Sequence, residues 1–369
     1  MFPTFRQVVI SLRDKSIDDA LKEEKNKNSY SDDKLDIMTD ARHACRKNSF
    51  HTDVTALGNL THKVVGYSHV TKNQERSSQK HETYGTEKLY EDFERKGIKV
   101  KVHSHDRNAS VSKYLSQNQP DVIDFYDTWH GAKEVRRNMA KITKGTRKNI
   151  GKTWHPELRD KSAGVKTHVY WAMKNCNGNA AQLVLLLDSI VDHYKQDHRN
   201  GHQTSRCKNN DYVPSRDIIR DPTAELLLRN SIKNLYIYKH PEKYTHCRDT
   251  HYIESYHNTI LIHVDKRLHY HNLMYEIKLG LSILDWNEHV DRPASSVQHR
   301  VQHDHPRRQS GYRVLTPKLY TFTNELWNNF VNLLYHDRND QIEPDDVENV
   351  QIDQNDTIGS EYEDSDDDE

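Results

Sequence analysis

The sequence predicts an α/β protein with a mixed five-stranded sheet, a large helical insertion and a disordered acidic end. Runs with the period-two alternation of β-strands dominate residues 34–130, whereas apolar residues at helical spacing dominate residues 131–250. The end, residues 336–369, holds fifteen acidic residues and one basic residue, a composition typical of disordered tails. These three observations define the architecture that each element below must fit.

The composition limits the classes of protein that the chain can belong to. Its 369 residues are 34% hydrophobic and 30% charged, with a mean hydropathy of −1.01. The longest uninterrupted apolar run, residues 183–187, is far shorter than the roughly 20 residues that a membrane-spanning helix needs. The start also lacks the apolar region of a signal peptide, so we expect an intracellular protein without a membrane partner.

Charge separates the acidic tail from the rest of the chain. Without the tail, 53 basic and 40 acidic residues remain, which gives the body a net charge near +13. A basic body attracts polyanions such as DNA, and an acidic tail would compete for the same surface. The alternative is a solvated tail that only aids solubility.

The cysteines argue against a disulfide framework or a zinc ribbon. Cys45, Cys176, Cys207 and Cys247 form no Cys-x-x-Cys pair and follow no regular spacing. A zinc site assembled from cysteines and histidines that are distant in the sequence stays open, since the chain contains 25 histidines.

The first half of the chain is expected to follow the element order β-β-β-α-β-α-β, which is the order of a ribonuclease-H-like domain. A Gly58-Asn59 turn joins the second and third strands as a hairpin. Gly97 ends the first helix, and Asn108 caps the second. The expected elements are strands at 35–40, 50–57, 63–70, 99–106 and 122–126, a helix at 82–96, and a helix after Asn108.

The rest of the chain is expected to be helical up to about residue 295. Helices are predicted at 132–144, 165–175, 180–194, 223–234 and 273–289, with a further helix opening at Tyr252. The predicted organisation is therefore a weakly structured leader (1–33), the first part of the core (34–130), a helical insertion (131–250), the closing helices of the core (251–295), a polar extension (296–335) and the acidic tail (336–369).

Three acidic residues stand where such a fold would place its chemistry. Asp40 ends the first predicted strand, Asp106 ends the apolar row on one face of the fourth, and Glu254 lies beside the apolar face of a later helix. Alone, each is more often a turn aspartate or an exposed helix glutamate. Together, the three carboxylates could hold two Mg²⁺ or Mn²⁺ ions, which prefer oxygen ligands and promote in-line phosphoryl transfer.

Two arginines follow the first two acids closely. Arg42 and Arg107 could contact a phosphate group, or they could simply neutralise the carboxylates, and the sequence favours neither role.

Six short motifs follow one another along the chain. They are Asp40-Ala41-Arg42, residues 97–107, residues 126–130 with Lys133, residues 166–171, residues 253–257 and residues 286–292. This succession resembles the DDE transposase domain of Kolobok-like elements and of proteins derived from them, over roughly residues 31–295.

The resemblance implies roles for particular residues. It makes Asp40, Asp106 and Glu254 the catalytic metal ligands, and it places His257 in the motif around Glu254. Asp127 and His130 match the D-x-x-H signature that several transposase superfamilies share. For that pair a structural role, with Trp129 packed and His130 holding a loop, is an equal alternative.

The chain also departs from the family's pattern. Ala41 stands where the family usually has glycine after the first aspartate, and Asn108 stands where it has histidine. An upstream zinc-containing DNA-binding domain of the kind such elements carry is not visible in the sequence, so we expect a truncated or degenerate element.

The function implied by the resemblance is divalent-metal-dependent cleavage and transfer of DNA strands in the nucleus. Transposon ends or target DNA would be its partners, and self-association is left open. The alternative is a catalytically inactive, transposon-derived module that binds DNA or protein. A histidine-rich metal-binding protein without a nucleic-acid role is disfavoured, because His269/His271 and His303/His305 are two residues apart rather than four.

Overall fold

A computed structural model of the chain describes residues 2–28, 34–44, 49–199, 205–209, 211–301 and 309–336. The acidic tail expected at 336–369 lies outside these ranges from residue 337 onward. The strands are β1 Lys34–His43, β2 His51–Gly58, β3 Val64–Thr71, β4 Lys99–His105, β5 Ile123–Tyr126, β6 Ala294–Val301 and β7 Gln309–Leu315. The helices are α1 Phe2–Lys27, α2 His81–Arg95, α3 Ala109–Asn118, α4 Thr128–Thr143, α5 Ser162–Asn175, α6 Ala180–Tyr194, α7 Pro222–Lys233, α8 Tyr236–Lys239, α9 His251–His263, α10 Asn272–His289 and α11 Thr321–His336.

Five strands form a mixed sheet in the order β3-β2-β1-β4-β5, which confirms the predicted five-stranded sheet. Strands β1, β4 and β5 are parallel, and β2 is antiparallel to both of its neighbours. The β1–β4 register places Thr39 opposite His105, so the next residues along the two strands are Asp40 and Asp106. The fold therefore makes the first two predicted acids neighbours at one edge of the sheet.

Local signals in the sequence fix the ends of the elements around β4. Gly97 takes a φ of +65°, a conformation that favours glycine, and it ends α2 as predicted. Asn108 caps α3 by accepting a hydrogen bond from the backbone N–H of Ser110 at 2.9 Å. Asp106 lies in the short turn between the end of β4 and Asn108.

Helices cover both faces of the sheet. On one face, α2 and α3 contact the strands through pairs such as Tyr90–His103 and Ser112–His105. On the opposite face lie α1, α9 and α10, with α10 joined to β2 through Tyr275 and Asp53. Apolar residues from both layers make one continuous core around β1.

The expectation of a weakly structured leader is wrong for residues 2–27, which form the 26-residue helix α1. Its Ile17, Ala20 and Leu21 belong to the core of the sheet. Its Glu24 is 1% exposed and accepts hydrogen bonds from the backbone N–H groups of Leu60 and Thr61 in the β2–β3 turn. Many charged residues between its apolar positions hide the helical pattern in the sequence.

The helices that follow β5 pack around a second apolar cluster. Helices α4, α5, α6 and α7 contribute most of its residues, and α6 has the bounds that the sequence predicts. The predicted helix at 132–144 begins four residues earlier, at Thr128, because Asp127 caps it. No helix within the described ranges is both long and apolar enough to cross a bilayer.

The region expected to be a polar extension, residues 296–335, carries regular structure. Strands β6 and β7 pair as an antiparallel hairpin, and α11 follows them. Helix α11 packs on α1, with the rings of Phe330 and Phe5 perpendicular and 5.4 Å apart. The amino-terminal and carboxy-terminal helices thus stabilise each other, a contact that local sequence patterns do not reveal.

Candidate metal centre at the carboxyl edge of the sheet

Asp40 and Asp106 follow the last paired residues of the parallel strands β1 and β4, at the carboxyl end of that pairing. Open α/β sheets usually bind ligands at this edge. The Asp40 side chain is 23% exposed and the Asp106 side chain 35% exposed, so both carboxyl groups can be reached from solvent. Strand β1 continues three residues beyond Asp40, to His43, and does not end at the aspartate as predicted.

Burial and like charges perturb both carboxyl groups. Burial raises the pKa of Asp40 well above its usual range, and the negative charges of Asp106, Glu82 and Glu254 raise it further. Burial also raises the pKa of Asp106, an effect that His130 opposes and that Asp127 and Glu254 strengthen. A cation placed among these acids would relieve their repulsion.

The tightest acidic cluster combines Asp106 with Asp127 and His130. One potential ligand atom from each of these three residues lies within 4.8 Å of the others. Nδ1 of His130 is 2.6 Å from Oδ2 of Asp127 and 3.0 Å from Oδ1 of Asp106. The D-x-x-H pair therefore adjoins the second predicted acid directly.

Asp127 also has a structural role. Its carboxylate accepts the backbone N–H groups of Trp129 and His130 in the first turn of α4, and that of Thr250 just before α9. It is 2% exposed. One side chain thus joins the end of β5 to the beginnings of two helices, and α9 is the helix that carries Glu254.

Helix α9 brings its residues to the same edge, but not in the arrangement that the sequence predicts. Glu254 is exposed in the first turn, and its charge influences both Asp40 and Asp106. Among the described residues at this edge, the potential ligand atoms that lie within 4.8 Å of one another belong to Asp106, Asp127 and His130. Asp40 and Glu254 are not members of this group. The predicted triad shares one edge without converging on one point.

His257, one turn after Glu254, lies beside Asp40. Its Nδ1 is 3.5 Å from Oδ2 of Asp40, and its buried Nε2 has no hydrogen-bond partner among the described residues. Burial, helped by the positive charge of Arg42, lowers the pKa of His257 to about 4. The imidazole is therefore neutral at pH 7, the form that can bind a metal ion.

Glu82, at the start of α2, is a carboxylate that sequence reasoning missed. Burial raises its pKa, a hydrogen bond with the Asn108 side chain opposes the shift, and the charge of Asp106 adds to it. No spacing rule connects residue 82 to residue 106, because the fold alone places the start of α2 near the end of β4. We define the acid edge as Asp40, Glu82, Asp106, Asp127 and Glu254.

The two arginines have partners other than the carboxylates beside them in the sequence. Arg42 is 5% exposed, donates to the carbonyl of Val264 at 3.1 Å and lies 3.9 Å from Asp53. The prediction that Arg42 contacts a phosphate group is therefore wrong, because the Arg42 side chain is almost completely shielded from solvent. Arg107 forms an ion pair with Glu134 at 2.8 Å and stacks over the ring of Tyr236.

A cavity of about 630 Å³ opens next to the acid edge. Its lining includes Asp106 and, on α4, His130 and the three cations Lys133, Arg136 and Arg137. These three cations begin a longer basic strip of exposed residues. The strip consists of Lys133, Arg136, Arg137, Lys141, Lys144, Arg147, Lys148 and Lys152.

The basic strip carries little neutralising charge. Glu134 is the only acidic residue between positions 133 and 152, and it is paired with Arg107. No strip cation forms an ion pair with a carboxylate in the part of the chain that the structure describes. Such a surface suits a polyanion that passes the acid edge.

Comparisons of the chain with protein-family models, with curated proteins and with solved structures find no match.

Proposed function

We propose that the chain is a DDE transposase-like domain that cleaves and transfers DNA strands with divalent metal ions. The observation that carries the proposal is the adjacency of Asp40 and Asp106 at the carboxyl edge of the sheet, with pKa values raised by burial and by neighbouring acids. Acting on chromosomal DNA, such a domain would work in the nucleus.

The strand order supports this class of fold. A sheet ordered β3-β2-β1-β4-β5, with β2 antiparallel to the rest, is the arrangement expected of a ribonuclease-H-like domain. The helices between β5 and α9 would then be an insertion into that domain. The order of the sequence motifs supports the same assignment independently of the sheet.

The donor set fits hard divalent cations. Asp40, Asp106 and Glu254 offer the carboxylate oxygens that Mg²⁺ and Mn²⁺ prefer, and Glu82 adds a fourth carboxylate at the same edge. When bound, such ions activate an oxygen nucleophile and stabilise the leaving oxygen of an in-line phosphoryl transfer. His130 would orient the Asp106 carboxylate, and His257 would adjoin Asp40 as a neutral imidazole.

The basic strip supports DNA as the substrate. Cations on α4 line the same cavity as Asp106, so a phosphate backbone bound along them would pass the carboxylates. The exposed indole of Trp129, with Lys133 over its ring, offers an aromatic surface for an unpaired base at the same place.

A second candidate function is a module that binds DNA without cutting it. The contact between His130 and Asp106 favours this candidate, because the imidazole lies 3.0 Å from a carboxylate oxygen that a metal ion would have to bind. The exposed position of Glu254 points the same way, since an active triad needs that carboxylate turned toward the other two.

A nicking assay on supercoiled plasmid separates the two candidates. We expect the full chain to nick DNA with Mn²⁺ but not in EDTA, and Asp106→Asn and Asp40→Asn to lower the rate by at least about 100-fold. Glu91→Gln, at an exposed glutamate of α2, is the matched control and should nick as the unchanged chain does. Metal-independent nicking, or full activity of Asp106→Asn, would contradict the proposal. DNA binding without any nicking would favour the second candidate.

A further inference from the structure

A second group of potential metal ligands lies in the helical region, apart from the acid edge. His193, in the last turn of α6, His198 and Cys207 each offer one ligand atom, and these atoms lie within 4.8 Å of one another. All three side chains are half-buried. The connection between α6 and α7 brings the latter two residues back to the end of the helix.

We propose that His193, His198 and Cys207 bind a zinc ion that ties the end of α6 to the connection that follows it. One thiolate and two imidazoles are a ligand set that Zn²⁺ takes in proteins, and a fourth ligand, water or another side chain, completes a tetrahedron. Mg²⁺ and Mn²⁺ prefer oxygen, so this site and the acid edge would select different ions.

Hydroxyl groups next to two of these side chains can orient them for metal binding. The hydroxyl of Ser205 lies 2.9 Å from the sulfur of Cys207, where it can donate to a thiolate. The hydroxyl of Tyr212 lies 3.4 Å from Nε2 of His193, the type of outer contact that orients a ligating imidazole.

Among the described residues, the group of potential ligand atoms around His193, His198 and Cys207 contains no carboxylate. Asp197, next to His198 in the sequence, forms an ion pair with Arg199 at 2.7 Å. On its inner side, His193 meets the ring of His168 edge to face at 5.8 Å.

Cobalt substitution tests the site directly. We expect the full chain, purified with zinc, to contain about one tightly held zinc ion, and its Co²⁺ form to show a thiolate-to-metal charge-transfer band. Cys207→Ser should remove the band, and His198→Asn should weaken metal retention. Cys247→Ser, at another half-buried cysteine, and Asp106→Asn, at the acid edge, should leave both unchanged.

Amide hydrogen exchange supplies a second readout that does not depend on any variant. Removing zinc from the unchanged chain should speed exchange at residues 193–198 and 205–209 and leave the sheet as it was. A Co²⁺ form without a thiolate band would overturn the proposal, as would a band that survives in Cys207→Ser. The proposal is independent of DNA cleavage, because none of its ligands belongs to the acid edge.

Discussion

Two groups of carboxylates and imidazoles lie on the same side of the sheet, and they differ in how their charges are balanced. Asp53 of β2 is completely buried, yet His69, the Tyr275 hydroxyl and Arg42 surround it. Burial would raise the pKa of Asp53, but these partners together hold it below its usual range. At the acid edge the balance is opposite, since burial and neighbouring acids raise the pKa of Asp40.

The difference separates a structural network from a candidate binding site. Around Asp53 the protein supplies its own cations and donors, so the carboxylate stabilises the fold. At the acid edge the protein gathers carboxylates with few cations and leaves those of Asp40 and Asp106 partly open to solvent. A cluster that is unbalanced and accessible gains from an external cation, and a balanced one does not.

The largest effect is expected on the stability of the fold, when the network around Asp53 is broken. Asp53→Asn leaves Arg42 buried without its carboxylate, which should cost about 3–5 kcal/mol of unfolding free energy. Urea unfolding measures it, with Glu91→Gln as a control that should stay within about 0.5 kcal/mol of the unchanged chain. A loss below about 1 kcal/mol for Asp53→Asn would show that the network is not structural.

An intermediate effect is expected on DNA binding beside the acid edge. Arg136→Gln with Arg137→Gln removes two cations that line the cavity, so the slope of log affinity against log salt should become shallower by about 1.8. The control is Lys99→Gln with Lys113→Gln, which removes two exposed charges, one of them at the start of β4. Equal salt slopes for the two double variants would show that the basic strip does not bind the DNA backbone.

The smallest effect is expected for Asp40→Asn in EDTA. This substitution should raise the free energy of unfolding, whereas Asp53→Asn should lower it. The folded chain binds the Asp40 proton more tightly than the unfolded chain, so this carboxyl lowers stability as pH rises above about 4. Asp40→Asn should therefore be more stable than the unchanged chain, and the difference should grow as the pH rises from about 4 to the raised pKa of Asp40 and then stay constant. Urea unfolding at a series of pH values from about 4 upward measures the gain in unfolding free energy, and a difference that is negative or that does not grow above about pH 4 would contradict it.

Local signals allowed much of the sheet to be predicted. Gly97 and Asn108 mark helix ends through backbone chemistry that acts within a few residues, and the alternation in β4 places Asp106 on its face. The hairpin of β2 and β3 follows from its turn residues in the same way. Such features survive in the sequence because their causes are local.

Features that depend on distant partners could not be predicted. Helix α1 is stabilised by contacts with α10 and α11, which lie about 270 residues or more further along the chain. Arg42 follows Asp40 by two residues, yet its partners are Asp53 and the carbonyl of Val264. Glu82 joins the acid edge only because α2 begins near the end of β4. The sequence identifies these residue types without revealing their partners.

Mn²⁺ binding to the full chain, followed by isothermal titration, tests most directly whether the acid edge is a metal centre. Zinc-loaded protein should be used, so that the His193–His198–Cys207 site is already filled. We expect saturable binding that Asp106→Asn weakens at least about tenfold and that Glu91→Gln leaves unchanged. Equal heats for Asp106→Asn and the unchanged chain would contradict the account.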